Sequence, residues 1–447
     1  MENESPIEKV SAWIKNSIML KLITITILML LLLIPASMIK GIISERQLLN
    51  DQATHEVSAK WAERQEITGP ILSIPIIYTY RGKDGITYEE TKYWHTLPKN
   101  LTIDGTIDPE RLKRGIYEVV VYASQLDFKG DFQLEAPDQL HIKEIQYAKA
   151  FLTLGVSDLR GIKNQIKIQW NDTQLDVKPG SKVPDLIATG ITVELPETLD
   201  SSESLRAFTF HLNLQGSQNL SFVPVGSQTN IQLSSSWNSP SFNGNFLPDN
   251  RSLTDEGFTA NWTVLQLNRN YPQTWVGESN TKSLDLARSA FGVDLILPLD
   301  DYQKSMRSAK YAIMTISLTF LVFFLVEILN KRKIHPFQYA LVGLALCLFY
   351  VLLVSITEHT NFNFAYGVST IGIVTMISLY SLSVFKMSRL TYLLVFILIG
   401  IYSFLFVTLQ LADYALLMGS IGLTVMLGLT MYFTRKINWY KLNIELA

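Results

Sequence analysis

Glu327 lies near the end of a long apolar run, where an ionised carboxylate is costly and therefore carries a functional expectation. Two readings fit it. In the simpler one it pairs with Lys331, four residues on, in an i,i+4 ion pair at a membrane interface contributing about 0.3–0.5 kcal/mol. In the other it relays protons or ions across the membrane. The ion pair is preferred. Glu358 and His359 stand next to each other in a short connection between two apolar runs. They can titrate near neutral pH or bind the underside of an exported domain, and docking is preferred to catalysis.

The six histidines are scattered, and His335 and His359 fall in connections on opposite ends of an apolar run, so a membrane would separate them. His211 alternates with Phe210 and Leu212, which points it to solvent on a strand. Ser279-Asn280-Thr281-Lys282 matches the Ser-x-x-Lys of penicillin-recognising enzymes, but the accompanying Ser-Asp-Asn and Lys-Thr-Gly boxes are missing. Chance explains it. A phosphate loop, a Gly-x-Ser-x-Gly elbow, a His-Glu-x-x-His pair and a cysteine pair are all absent. The expectation is therefore no catalytic residue, no cofactor and no metal.

The elements that carry these residues follow from composition. Only 17% of the 447 residues are charged while 48% are hydrophobic, too apolar a balance for an ordinary soluble enzyme of this length. Lys and Arg number 38 against 40 Asp and Glu, so the chain lacks the one-sided charge that nucleic-acid binding needs.

Residues 22–39 are free of charge, and at ~1.5 Å per residue they reach about 27 Å, close to a bilayer core of ~30 Å. Five further apolar runs, at 311–329, 337–354, 366–385, 390–409 and 414–433, each approach the ~20 residues that a spanning helix needs. Lys331, Arg332 and Lys333, then Lys386 and Arg389, then Arg435, Lys436 and Lys441 occupy alternate connections, and the intervening ones contain no Lys or Arg. The positive-inside rule puts both termini in the cytoplasm and residues 43–310 outside. Pro35-Ala36-Ser37 allows a signal-peptide cleavage site, but the helical pattern runs on through Ile42 to Arg46, which favours a retained span.

Residues 43–310, roughly 270 in all, are long enough for one large or two ordinary domains. After a helical lead-in to about Arg64 the pattern is β. Phe208, Phe210, Leu212 and Leu214 alternate with polar residues, as do Phe258, Ala260, Trp262 and Val264. Turn residues at Lys178-Pro179-Gly180, Asn238-Ser239-Pro240 and Pro248-Asp249-Asn250 separate the runs, as in a sandwich. Six of the eight tryptophans fall here and read as core anchors rather than a carbohydrate platform. The one cysteine, Cys347, lies in the third span, so this domain has no disulfide and is held by packing alone. Ser420, Thr424 and Gly428 recur every four positions on the sixth span, a stripe that allows a homo-oligomer.

The fold expected is thus a multi-span α-helical membrane protein with a large β-rich, sandwich-like periplasmic domain. Residues 1–42 hold the cytoplasmic N-terminus and first span, 43–310 the periplasmic domain, in one or two parts, and 311–447 a five-helix bundle with a cytoplasmic C-terminus.

Several blocks then carry a resemblance: Leu33-Ile34-Pro35 with Gly41-Ile42-Ile43-Ser44-Glu45-Arg46, Thr68-Gly69-Pro70-Ile71-Leu72, Arg114-Gly115-Ile116-Tyr117 and Ser157-Asp158-Leu159-Arg160-Gly161-Ile162. Pro240-Ser241-Phe242-Asn243-Gly244, Phe291-Gly292-Val293-Asp294, Arg307-Ser308-Ala309-Lys310-Tyr311, Phe323-Phe324-Leu325-Val326-Glu327, His335 to Gly343 and Glu358-His359 continue it. Together they resemble the CreD-type cell-envelope integrity proteins of bacterial inner membranes, over nearly the whole chain. The resemblance implies one N-terminal span, an exported domain and a C-terminal bundle, and an association with envelope stress without an established reaction or ligand. Its motif positions are Glu327, His335, Glu358 and His359, with Arg46, Asp158 and Arg160 outside; the last two are read as a structural turn and ion pair.

The function expected is non-enzymatic support of envelope integrity in the inner membrane, with the periplasmic domain binding envelope proteins or cell-wall or lipid components. A transporter or lipid-handling protein using the C-terminal helices is the rival, though no span has an internal polar cluster or an evident inverted repeat.

Overall fold

The structure is a computed structural model that describes residues 18–81, 83–84, 86–135, 137, 142–196, 205–277, 279–297, 301–329, 334–385, 388–411 and 415–435. The basic residues at 331–333, 386, 436 and 441, on which the charge argument partly rests, lie outside them. Two compact units form, Asp51–Pro298 and the pair of segments Met1–Asn50 and Leu299–Ala447.

The β-rich unit contains two sheets. The larger has ten strands and is built around Gln65–Arg81, whose first half pairs in parallel with Asn219–Val223 and whose second half pairs antiparallel with Thr87–Thr96. Phe151–Val156 lies along its other edge. The second sheet has eight strands in the order Asn250–Thr254, Gly257–Leu265, Gln228–Ser235, Asn100–Arg114, Tyr117–Phe132, Arg206–Ser217, Lys167–Trp170 and Thr173–Asp176. One hydrophobic core joins the two. Phe242 of the first sheet meets Phe258 of the second at 5.7 Å between ring centroids, and Trp262 meets Phe291 at 5.8 Å.

The period-two reading of two strands is met residue by residue. Phe208, Phe210, Leu212 and Leu214 are buried, as are Phe258, Ala260, Trp262 and Val264, while Thr209, His211, Thr259, Asn261 and Thr263 face water. Trp94, Trp170, Trp237 and Trp262 are buried core residues, as anchors should be.

The helical unit holds α1 (Ile18–Leu31), the N-terminal part of α2 (Leu33–Trp61), α4 (Asp301–Lys310), α5 (Ala312–Leu329), α6 (Pro336–Thr357), α7 (Phe362–Phe385), α8 (Ser388–Gln410) and α9 (Ala415–Thr434). A short α3 (Ser279–Arg288) belongs to the β-rich unit. Five helical segments are long and apolar enough to cross a membrane, one near the N-terminus and four after residue 300. The sixth expected span corresponds to α9, whose described apolar portion, Leu417–Tyr432, is shorter.

Packing explains why α1 and α2 close on the bundle. A Cβ on Gly343 of α6 would stand 2.2 Å from Leu32 Cδ1 and 2.9 Å from Phe320 Cζ, so hydrogen at that position is what admits both side chains. Deeper in, Phe349 touches Tyr350, Tyr366 and Tyr402 with centroids 4.9, 5.3 and 4.7 Å away. The Tyr366 hydroxyl donates to the Tyr402 carbonyl at 2.7 Å, and that of Tyr350 to Thr315 Oγ1 at 3.3 Å, which satisfies these polar tips in an apolar interior. Ser420, Thr424 and Gly428 are exposed, and among the described residues nothing stands within 4 Å of a Cβ built on Gly428.

Candidate functional site

In the helical unit two carboxylates on the later helices each bind a cation from the N-terminal segment. Glu327 is 4% exposed near the C-terminal end of α5. Its Oε1 accepts from Lys21 Nζ of α1 and from the Ile334 backbone N–H at 2.7 Å, and its Oε2 accepts from the Tyr339 hydroxyl at 2.9 Å. Three donors thus close on the carboxylate, which fits a buried charge that must be paired and hydrogen-bonded to be tolerated. Lys331, the partner expected from spacing, lies outside the described residues.

Arg46 Nε of α2 lies 3.0 Å from Glu358 Oε1, at the C-cap of α6. Lys21 and Arg46 are separated by about 38 Å of helix at 1.5 Å per residue, somewhat more than the ~30 Å hydrocarbon core. Each end of the N-terminal segment therefore carries its own ionic tie to the later helices.

The other expected positions are local. His335 is the N-cap of α6: its Nδ1 accepts from the Phe337 N–H at 3.2 Å while Gln338 Oε1 accepts from the His335 N–H at 2.9 Å, with Pro336 at the first helical position. His359 is exposed and its N–H closes the helix end on the Ile356 carbonyl.

Asp158 caps a single 3-10 turn, and both its oxygens bind the Arg160 guanidinium, with Nη2 at 2.7 Å from Oδ2. It also accepts from the Glu63 N–H at 2.9 Å, and Arg160 reaches the Ala59 carbonyl. Arg160 beside it holds the Asp158 carboxyl down at about 2. Gln65, fully buried, spans from the backbone of Asp158 to the Gln215 carbonyl and locks the turn to the sheets. The arrangement is a structural clasp.

Sequence reasoning missed Lys21 and Tyr339, because a contact across 306 residues leaves no periodic trace. It also missed His95, fully buried on Thr87–Thr96, whose Nδ1 lies 2.9 Å from Ser73 Oγ and whose ring lies 5.2 Å from Trp275. Burial drives its imidazole down to about 4.

Among the described residues no cluster could hold a metal ion. An open concavity of about 650 Å³ lies over the eight-stranded sheet. Thr106, Ser234, Ser235, Ser252, Thr254 and Thr259 line it with hydroxyls, Gln125 adds an amide, and Asp108 and Glu256 are its charged members. Such a surface offers hydrogen bonds along a groove.

Fold and site together define a multi-span helical membrane protein carrying a large two-sheet β domain. The model of the CreD family, inner membrane protein CreD, matches residues 17–440. The chain belongs to that family. It is 33% identical over 437 residues to the inner membrane protein CreD of Escherichia coli (strain K12), covering 96% of each chain.

Proposed function

We propose that the protein is a non-enzymatic component of the bacterial inner membrane that supports cell-envelope integrity under stress. Both termini lie in the cytoplasm and the β-rich unit lies in the periplasm, where it binds or scaffolds envelope proteins or cell-wall or lipid components. The alternation of Lys- and Arg-bearing connections supports that orientation, and the near-zero net charge argues against nucleic acid as a partner. The single observation that carries the reading is the hydroxyl- and amide-lined groove, a shape suited to a polar, extended partner held by many weak hydrogen bonds. The test is survival of a deletion strain under envelope stress, rescued by Thr106→Trp or Thr259→Trp at equal membrane abundance. Both changes fill the groove from exposed positions, and the expected outcome is loss of rescue. Full rescue by both removes the groove from the function.

The Lys21–Glu327–Tyr339 cluster supports a second reading, a transporter or lipid-handling protein, because ionisable residues among spanning helices commonly mark a pathway. Its sign is substrate flux in proteoliposomes that Glu327→Gln abolishes. With three donors already on Glu327, one of them a cation, the static tie is the better account of it.

A further inference from the structure

A smaller cavity, about 200 Å³, opens where α3 meets the start of Gln65–Arg81 and the end of Phe151–Val156. Its lining is divided by chemistry. Leu186, Ile187 and Leu286, all buried, form an apolar wall, and Glu66, Thr68, Ser157, Thr189 and Ser283 form the polar one. Glu66 and Thr68 share one face of their strand, opposite the core face that carries Gln65 and Ile67.

Among the described residues of this lining Glu66 is the one ionisable side chain. Its backbone is fixed on both sides: its N–H donates to Ser157 Oγ at 2.9 Å and its carbonyl accepts from the Ser157 N–H at 3.2 Å. Its carboxylate is half-buried, and among the described residues no Lys or Arg pairs with it. Burial alone pushes the carboxyl above its ordinary range, with no cation opposing the shift. Elsewhere in this unit the carboxylates Asp158 and Glu194 are held by Arg160 and by Lys178 and Lys182. The floor of the cavity exists because residue 155 is glycine: a Cβ there would lie 3.1 Å from Ile187 Cγ2 and 3.1 Å from Thr68 Cβ.

We propose that this cavity binds a primary ammonium group borne on an aliphatic chain, with Glu66 as its counter-charge. Thr68 and Ser283 accept its remaining N–H bonds, and the methylenes lie along Leu186, Ile187 and Leu286. A carboxylate drawn out of water regains the lost solvation from a cation, and a compact ammonium with three donors suits a carboxylate set among hydroxyls. An apolar wall beside it selects an alkyl chain over a bare inorganic cation. The site is separate from the groove on the eight-stranded sheet, and either can fail without the other.

The group occurs on free polyamines and on lysine-like side chains of a partner. The test is calorimetric titration of the full chain in phosphatidylcholine nanodiscs with 1,5-diaminopentane, with acetyl-Ala-Lys-Ala-amide, and with 1,5-pentanediol as the uncharged control. The expected result is saturable binding of an amine and none of the diol. Binding of the diamine alone assigns a free polyamine, and binding of the peptide alone assigns a partner side chain. Glu66→Gln, which keeps the shape of the side chain, should weaken binding by about tenfold or more. Thr68→Val should weaken it less, and Gly155→Ala, which narrows the floor, should weaken it too. Glu256→Gln, in the groove, should leave it unchanged. Absence of saturable heat from both amines up to about 10 mM, or equal binding by a folded Glu66→Gln protein, overturns the proposal.

Discussion

Lys21 and Glu327, 306 residues apart in sequence, form an ion pair whose carboxylate side chain is only 5% exposed. The pair makes the N-terminal helix part of the later bundle by electrostatics as well as by packing. Removing one partner strands the other, so Lys21→Met is expected to cost about 3 kcal/mol, the lower end for a buried pair because Lys21 remains partly hydrated. Removing both charges, as Lys21→Met with Glu327→Gln, should cost less than Lys21→Met alone. Thermal unfolding of the purified protein in detergent measures both, and an additive double variant would show that the two residues do not act on each other.

The close approach at Gly343 yields a prediction that the ion pair does not influence. Gly343→Val puts new atoms where Leu32 Cδ1 and Phe320 Cζ already stand, and overpacking of this kind costs about 1–3 kcal/mol. Shortening the opposing side chain, Leu32→Ala, should restore part of the loss in the Gly343→Val background although it is destabilising alone. Failure of that rescue would mean that the strain is relieved elsewhere.

What could be read from sequence follows from the range of each interaction. Alternation along 208–215 and 258–264 tells which residues face the core, because side-chain direction on a strand is a local property. The apolar runs at 337–354 and 390–409 fall within α6 and α8 for the same reason. The pairing of Gln228–Ser235 in parallel with Asn100–Arg114 had no such trace, since strands more than a hundred residues apart are joined only by the tertiary fold. Arg46 and Glu358 were both singled out, yet nothing in their spacing joined them. His335 shows a signal that was present and unread: Pro336 and Gln338 after it make a helix-start pattern, which accounts for the residue without any chemistry.

Acid should weaken the β-rich unit through His95. Its imidazole titrates at about 4 in the fold and near 6.5 when unfolded. The buried ring is therefore neutral where the unfolded chain takes up a proton, so the stabilising term is complete above about pH 6.5 and is lost as the pH falls from there to about 4. A shift of that size corresponds to about 3 kcal/mol. Hydrogen exchange of strands Gln65–Arg81 and Thr87–Thr96 across this range should show it, and His95→Gln should flatten the dependence. An unchanged slope in that variant would place the acid sensitivity in another group.

Asp158 tests the clasp at the other end of the same strand. Asp158→Asn keeps an N-cap acceptor but removes the charge that grips Arg160, whereas Asp158→Ala removes both. The asparagine variant should be only slightly destabilised, because Arg160 is more than half exposed and solvent screens the pair. The alanine variant should lose about 1–2 kcal/mol, since the cap and the bond from the Glu63 N–H go together. The native carboxyl titrates at about 2 against an ordinary value of 3.8, so its contribution is present above about pH 4 and fades between there and 2, below the window of His95. Denaturant unfolding of the three proteins at neutral pH separates the terms. Equal losses in the two variants would show that the charge, rather than the cap, holds the turn.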